Sequence, residues 1–202
     1  WILYFQNFGS VLWFLRDFVD PAPVNALFSS LGLPFKFDAE FVTVINGGTI
    51  ILLQVFVSRI VKDLKPLPTM LGGVAIGALG FLFLAYASNV WLFIAGISIF
   101  SIGEMTAHPK YYSYVGLVAP QDKKAVYMGY AFLYGVFGSL IGSSFGGALY
   151  GSWLKPLAGT PAGLAASRDF WFLFIALDVL AVVGLFLYNR SFAHDTPEAN
   201  AK

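Results

Sequence analysis

Residues 90–119 read VWLFIAGISIFSIGEMTAHPKYYSYVGLVA, thirty residues among which Glu104, His108 and Lys110 are the only Asp, Glu, Lys, Arg or His side chains. A helix needs roughly 20 mostly apolar residues to cross about 30 Å of hydrocarbon, so this stretch reads as a membrane span. The rest of the chain agrees. Of its 202 residues 58% are apolar and 11% charged, where a soluble domain carries about a quarter charged residues. Mean hydropathy is +0.74, concentrated in apolar runs separated by short stretches that hold nearly all the Lys, Arg, Asp and Pro. A lipid-facing barrel would need segments of about ten residues with alternating polarity, and Ile50 to Val57 or Phe170 to Leu177 show no alternation.

The expected fold is therefore all-α and integral to a membrane. Six transmembrane helices fall at about 1–15, 41–61, 68–88, 90–119, 124–150 and 170–189, which makes 1–190 one six-helix unit and 191–202 a tail. The first span covers only about 22 Å at 1.5 Å per residue. With no Met and no basic n-region before it, the chain is read as a fragment without a signal peptide. The outer loop 16–40 should carry a short surface helix around Asn25 to Leu31, and 151–169 reads as irregular connection.

Basic residues orient the bundle. Arg59, Lys62, Lys65, Lys123, Lys124, Arg190 and Lys202 fall on one side; Arg16, Lys36, Lys155 and Arg168 fall on the other. The positive-inside rule puts the first set, and both chain ends, in the cytoplasm. Trp13, Trp91, Trp153 and Trp171 then sit at outer helix ends, where indoles favour the headgroup region.

A charge at the bilayer centre costs about 2.5–3.5 kcal/mol on insertion scales, so an acid there requires an explanation. Glu104 is mid-span, and His108 and Tyr111 follow it at i+4 and i+7 on one helical face. Pro109 removes a backbone donor beside that face and should bend the helix, opening a cavity. The functional reading is a polar stripe along a water-filled path with Glu104 as a substrate or proton site; the structural one is a Glu paired with His108 or Lys110. Lys110 suits a substrate anion and snorkelling to the interface equally. Asp178, mid-span in the sixth helix, fits a buried interhelical hydrogen bond. Gln6, Asn7, Asn46 and Gln54 add neutral polar groups at helix depth.

In the fifth span Gly138, Gly142 and Gly146 recur every four residues, with Gly135, Ser139, Ser143 and Gly147 in a second stripe beside them. Small residues at this spacing let helices approach closely, so Gly135, Gly138, Gly142 and Gly146 are expected at helix contacts. Gly73 and Gly77 make a weaker example in the third span.

Other chemistries find no support. The chain has no Cys, and its two His, His108 and His194, do not make a metal site. No phosphate-binding loop and no Ser, His and Asp set is present, so neither an enzyme nor a cofactor or metal is expected. A net charge of +1 gives no reason for a nucleic-acid partner.

The fourth span carries a family resemblance. Ile102-Gly103-Glu104, Pro109, Ser113, Val115 and Ala119-Pro120 resemble the tenth helix of proton-dependent oligopeptide transporters, a branch of the major facilitator superfamily. Ile45-Asn46 with Ile50-Ile51-Leu52-Leu53 is similar to that family's eighth helix, Met128-Gly129 and Phe132-Leu133 to the start of its eleventh, and Gln6-Asn7-Phe8-Gly9-Ser10 more loosely to its seventh. The resemblance implies the C-terminal half of a twelve-helix carrier whose N-terminal six-helix half is not in this sequence. It also implies that Glu104 meets a substrate amino group and that Asn46 contacts a peptide. The chain departs from the family at Gln6, where an acid is usual, at Ala131, where a Trp is usual, at His108, where a small residue is usual, and at Lys110, which has no counterpart.

The function expected is secondary transport of a small polar solute by alternating access, proton-coupled and extending to short peptides, in a plasma or inner membrane with a cytoplasmic C-terminus. Gln6, Asn46, Glu104, His108, Lys110 and Tyr111 are the candidate substrate contacts, with Glu104 also the candidate for proton coupling. The alternatives are a facilitator for sugars or other metabolites and a non-transporting assembly subunit. The orientation is testable with single Cys substitutions in intact cells: an impermeant reagent should label positions 28 and 159 and spare 65 and 123. The opposite pattern inverts the topology.

Overall fold

The computed structural model describes residues 1–87 and 89–192; His194 and the tail from 193 onward lie outside the described residues. A 3-10 turn, Tyr4–Phe8, precedes helices α1 (Ser10–Phe18), α2 (Ala22–Ser30), α3 (Phe41–Val61), α4 (Pro66–Ala85), α5 (Val90–Val118), α6 (Lys124–Ala131), α7 (Leu133–Leu149) and α8 (Gly163–Ser191). No β-strand occurs among the described residues. Five helical stretches, Phe41–Val61, Pro66–Ala85, Val90–Val118, Gln121–Leu157 and Gly163–Ser191, are long and apolar enough to cross a membrane.

Local chemistry sets the boundaries. Pro66 and Pro68 occupy the first turn of α4, where their missing N–H groups have no intrahelical partner to lose. Asn89 caps α5, its side chain accepting from the Trp91 N–H at 2.8 Å. Asp20 accepts from the Ala22 N–H at 2.9 Å and starts the surface helix, which lies a few residues before the position expected for it.

The structure corrects four expectations. The first span is not one helix over 1–15: the chain turns out of helical geometry at Gly9 (φ −147°, ψ −93°), leaving a 3-10 turn before it and α1 after it. The fifth span is one stretch but not one regular helix: Phe132 keeps helical dihedrals (φ −71°, ψ −16°) while its N–H bonds the Gly129 carbonyl in a tight 3-10 step, and the span continues as a π turn over Tyr150–Leu154. The segment 151–169 is largely helical, with α8 starting at Gly163 instead of 170. That early start places Trp171 two turns inside a helix. Trp171 is fully buried, stacked on Phe81 at 5.6 Å and edge-on to Phe14 at 5.3 Å, and so belongs to the core and not to a headgroup belt. α5 runs through Pro109 as one helix.

Two glycine contacts organise the packing. Between α4 and α5 the backbones meet: a Cβ on Gly103 would lie 2.5 Å from the Gly73 carbonyl oxygen and 2.7 Å from the Gly77 nitrogen, and one on Gly80 would lie 2.8 Å from the Gly96 carbonyl oxygen. Side α7 presents Gly138, Gly142 and Gly146 to the N-terminal turn. A Cβ on Gly142 would sit 2.7 Å from the Ile2 carbonyl oxygen, and one on Gly146 would overlap the Gln6 side chain.

Gly135 does not join this contact, since nothing lies within 4 Å of a Cβ built there. Three residues before Gly138, it is rotated about 60° off the stripe at roughly 100° per residue. Of the second stripe, Ser143 is exposed.

An aromatic layer fills the end of the bundle formed by the C-termini of α1 and α4 and the N-termini of α5 and α8. Phe81 packs against Phe100 at 5.1 Å and Phe174 at 6.1 Å. Near that end the Tyr150 hydroxyl reaches both Asp17 Oδ2 at 2.7 Å and the Trp13 carbonyl at 2.9 Å. The Arg16 guanidinium beside Asp17, helped by that hydroxyl, holds its carboxyl below the usual range. The outward faces of α3, α7 and α8 are apolar and unpaired within the chain: Ile51, Leu52 and Ile60 of α3 are each more than 70% exposed. Water would not tolerate such a surface; lipid or another helical unit would cover it.

Gly142→Leu should wedge α7 from the N-terminal turn, since overpacking costs about 1–3 kcal/mol. The expected result is less folded protein and a lower melting temperature in detergent. A variant that accumulates, stays monodisperse and melts like the parent would show that this contact does not support the fold.

Candidate functional site

Glu104 sits half-buried at the middle of α5, far from either helix end. Across from it on α3, Asn46 donates through Nδ2 to Glu104 Oε2 at 3.1 Å and to Ser101 Oγ at 2.8 Å. Ser101 passes its own proton back to the Ile97 carbonyl at 2.8 Å, so the amide is held from two sides. The Tyr4 hydroxyl, brought over by the N-terminal turn, is a second, weaker polar neighbour of the same carboxylate. Among the described residues no cation pairs with Glu104; the ion pairs there are Arg16 with Asp17 and Lys62 with Asp63.

The carboxylate faces a cavity of about 310 Å³ bounded by α4, α5, α8 and the N-terminal turn. The α4–α5 seam borders it: Gly77 lines it with backbone, and a Cβ there would meet nothing closer than the Phe100 ring at 3.8 Å, whereas a Cβ on Gly73 would run into the Ala107 backbone at 2.7 Å. Trp1, Tyr4 and Phe100 supply aromatic wall, while Glu104, His108 and Asp178 supply polar groups.

His108 shares a 2.6 Å hydrogen bond with the Tyr134 hydroxyl, its direction set by the imidazole tautomer. That hydroxyl also meets Tyr112 at 3.0 Å. Trp1 stacks on Tyr134 at 4.3 Å and stands edge-on to His108 at 4.6 Å. Tyr111 lines the cavity and donates from its hydroxyl to the Ala131 carbonyl at 3.1 Å, just before the Phe132 step. The result is a π-rich wall linking α5 to the α6–α7 junction.

Not all the candidate contacts meet here. Glu104, Asn46, His108 and Tyr111 gather at or beside the cavity. Gln6 is 1% exposed and turned to α7, donating to the Gly142 carbonyl at 2.9 Å and accepting from Ser10 at 2.7 Å. Lys110 is buried and directed elsewhere: its ammonium donates to the carbonyls of Lys62 at 3.1 Å and Leu64 at 2.6 Å, closing the C-terminal end of α3. Orphan carbonyls and the negative end of the helix dipole suit a cation there.

Asp178 departs from its expected interhelical bond. It is 4% exposed, and its Oδ2 has no hydrogen-bond partner. Sequence reasoning also passed over Tyr4, Ser101 and Tyr134. Ser101, three residues before Glu104, was the one signal available, since that spacing sets both on one face.

A family model described as Major Facilitator Superfamily matches residues 9–202. Among curated proteins, an uncharacterized MFS-type transporter, YttB of Bacillus subtilis (strain 168), is 33% identical over 124 residues, which is 59% of this chain and 30% of that protein. The chain thus reaches under a third of the length of that relative. No solved structure matches.

Proposed function

The chain belongs to the Major Facilitator Superfamily, and on that premise we propose that it is the C-terminal six-helix half of a secondary transporter that recognises a small polar solute through a cationic group at Glu104. Carriers of this architecture bind substrate near the bilayer midplane between two helical halves. The observation that carries the reading is the Glu104 carboxylate itself, oriented by Asn46 at 3.1 Å toward a 310 Å³ cavity and paired with no cation among the described residues. A structural acid in a membrane is expected to pair; an acid left for an incoming charge is not.

The solute enters with an ammonium or comparable group, which replaces the missing counter-ion. Asn46 fixes one carboxylate oxygen and, with the Tyr4 hydroxyl beside the same group, presents the carboxylate to the ligand. Aromatic walls at Trp1, Tyr4 and Phe100 suit a partly apolar body and add cation–π attraction. Proton coupling follows from the cost of an unpaired acid in hydrocarbon, because protonation of a carboxyl at this depth changes which states of the carrier can form. Short peptides fit at the amino end. Lys110, engaged with the end of α3, is not available for the peptide carboxylate, so that charge would be met by the N-terminal half. The protein is integral to a membrane, and a plasma or inner membrane with a cytoplasmic C-terminus is the orientation favoured by its basic residues.

The test uses the full-length protein in proteoliposomes with an inward proton gradient and radiolabelled dialanine as probe. Wild type should accumulate dialanine above the outside concentration. Glu104→Gln, nearly isosteric, should keep the fold and abolish accumulation. A pure coupling role leaves gradient-free counterflow intact, whereas an amino-binding role weakens it as well. Wild-type accumulation and affinity in Glu104→Gln would withdraw the site; no dialanine uptake by wild type would withdraw the peptide reading.

A further inference from the structure

A second cavity, of about 560 Å³, opens where the C-terminal end of α3, the first turn of α4, the last turns of α5 and the start of α6 come together. Lys62, Lys110 and Lys124 line it, and among the described residues no Asp or Glu does. The acids nearest in sequence, Asp63 and Asp122, are both exposed. Asp63 lies 3.6 Å from the Lys62 ammonium, with both side chains mostly in solvent, and a pair so exposed contributes little. The cavity is therefore net positive.

Lys110 sets the sign of its floor. Where α3 ends, bare carbonyls and the negative end of the helix dipole would face the cavity. The buried Lys110 ammonium covers the carbonyls of Lys62 and Leu64, using two of its three N–H donors. Those dipoles satisfy the bonds but leave the unit charge, and no ion pair among the described residues cancels it. Pro66, on the wall, opens α4, whose N-terminal dipole end adds the same sign. From the far side Lys124 lies across the bare backbone of Gly116: a Cβ there would be 3.5 Å from Lys124 Cε and 3.9 Å from Nζ.

Depth and margin identify the anion. The spans end at Val61 and Val118 and begin again at Pro66 and Gln121, so the cavity lies at the level of lipid headgroups. Leu64 and Leu117, 51% and 43% exposed, and Met128 form an apolar margin beside the three ammoniums. A free phosphate gains nothing from that margin, whereas a phospholipid carries both a phosphate and acyl chains. No acid lines the cavity to receive a choline or ethanolamine ammonium, so the headgroup must be negative overall. We infer that this cavity binds the headgroup phosphate of an anionic phospholipid between Lys62 and Lys124, over the fixed charge of Lys110, with the start of an acyl chain against Leu64, Leu117 and Met128. Basic pockets between membrane helices suit such headgroups. The site is separate from the Glu104 cavity and does not rest on the transport reading.

The experiment is native mass spectrometry of the full-length protein in neutral detergent, titrated separately with phosphatidylglycerol, phosphatidylcholine and inorganic phosphate. Phosphatidylglycerol should fill one saturable site, outcompete phosphatidylcholine, resist displacement by phosphate, and weaken as salt is raised. Lys62→Gln and Lys124→Gln should each weaken its binding about fivefold, while Lys123→Gln, adjacent but outside the cavity, should not. Lys110→Gln also uncovers the end of α3, so the two surface variants decide. Equal binding of phosphatidylcholine, or an equal loss on Lys123→Gln, makes the effect a general surface one and overturns the inference. Absence of a phosphatidylglycerol site, as when an acidic side chain of the remaining half already fills the cavity, does the same. Occupation by phosphate alone with the same lysine dependence makes it a free-anion site and overturns the lipid assignment. Binding is read without substrate, so this inference and the Glu104 reading can fail separately.

Discussion

The backbone contact between α4 and α5 is the constraint from which the site follows. At Gly103 the space for a Cβ is already occupied by the Gly73 carbonyl and the Gly77 nitrogen, so these helices meet main chain to main chain. In lipid no hydrophobic driving force separates helix surfaces from solvent, and such dense contact is a principal source of association. The glycines that permit it also remove side chains from the layer beside Glu104. One structural economy therefore supplies the adhesion of the bundle and the cavity in it. A Leu at position 77 would fill the space the two acids share before any chemistry was considered.

Lys110, Glu104 and Asp178 are three ionisable groups at depth, and each meets the desolvation problem differently. Lys110 is paired with backbone carbonyls at the end of α3, a fixed and satisfied arrangement. Glu104 is half-satisfied, with one oxygen accepting from Asn46. Asp178 is unsatisfied at Oδ2. The order runs from structural to available, and availability is what a binding site requires.

What the sequence made legible was the property that depends on sums. Apolar runs long enough to cross a bilayer locate the helices at Phe41–Val61 and Val90–Val118, since hydropathy averages over a whole span. Glu104 stood out because a mid-span acid is costly in any tertiary context. What stayed hidden depends on partners distant in the chain. The Gln6 amide reads as a cavity residue until α7 is brought against it, and Gly135 reads as a contact until its rotation off the Gly138 stripe is known. Tyr134 has no local signal, because its hydroxyl acquires a role only when His108 arrives from α5. The 3-10 step at Phe132 was illegible for a related reason: no Pro or Gly occupies that position, and the tight turn is held by its setting beside Tyr111, whose hydroxyl takes the Ala131 carbonyl.

These irregularities fall in a pattern. α4 and α5 are continuous through the site, joined by glycine contacts that leave little room to slide. The N-terminal turn and the α6–α7 junction depart from regular helix, at Gly9 and Phe132, and both carry aromatics: the cavity-lining Trp1 and Tyr4 on one, and Tyr134, bonded to His108, on the other. An interrupted helix can change direction at one residue while its halves stay intact, since the backbone groups freed at the break are already satisfied locally. The bundle thus divides into an uninterrupted pair, one helix of which bears Glu104, and two less regular segments that carry Trp1, Tyr4 and Tyr134. The Trp1, Tyr134 and His108 cluster is the place where the two parts touch.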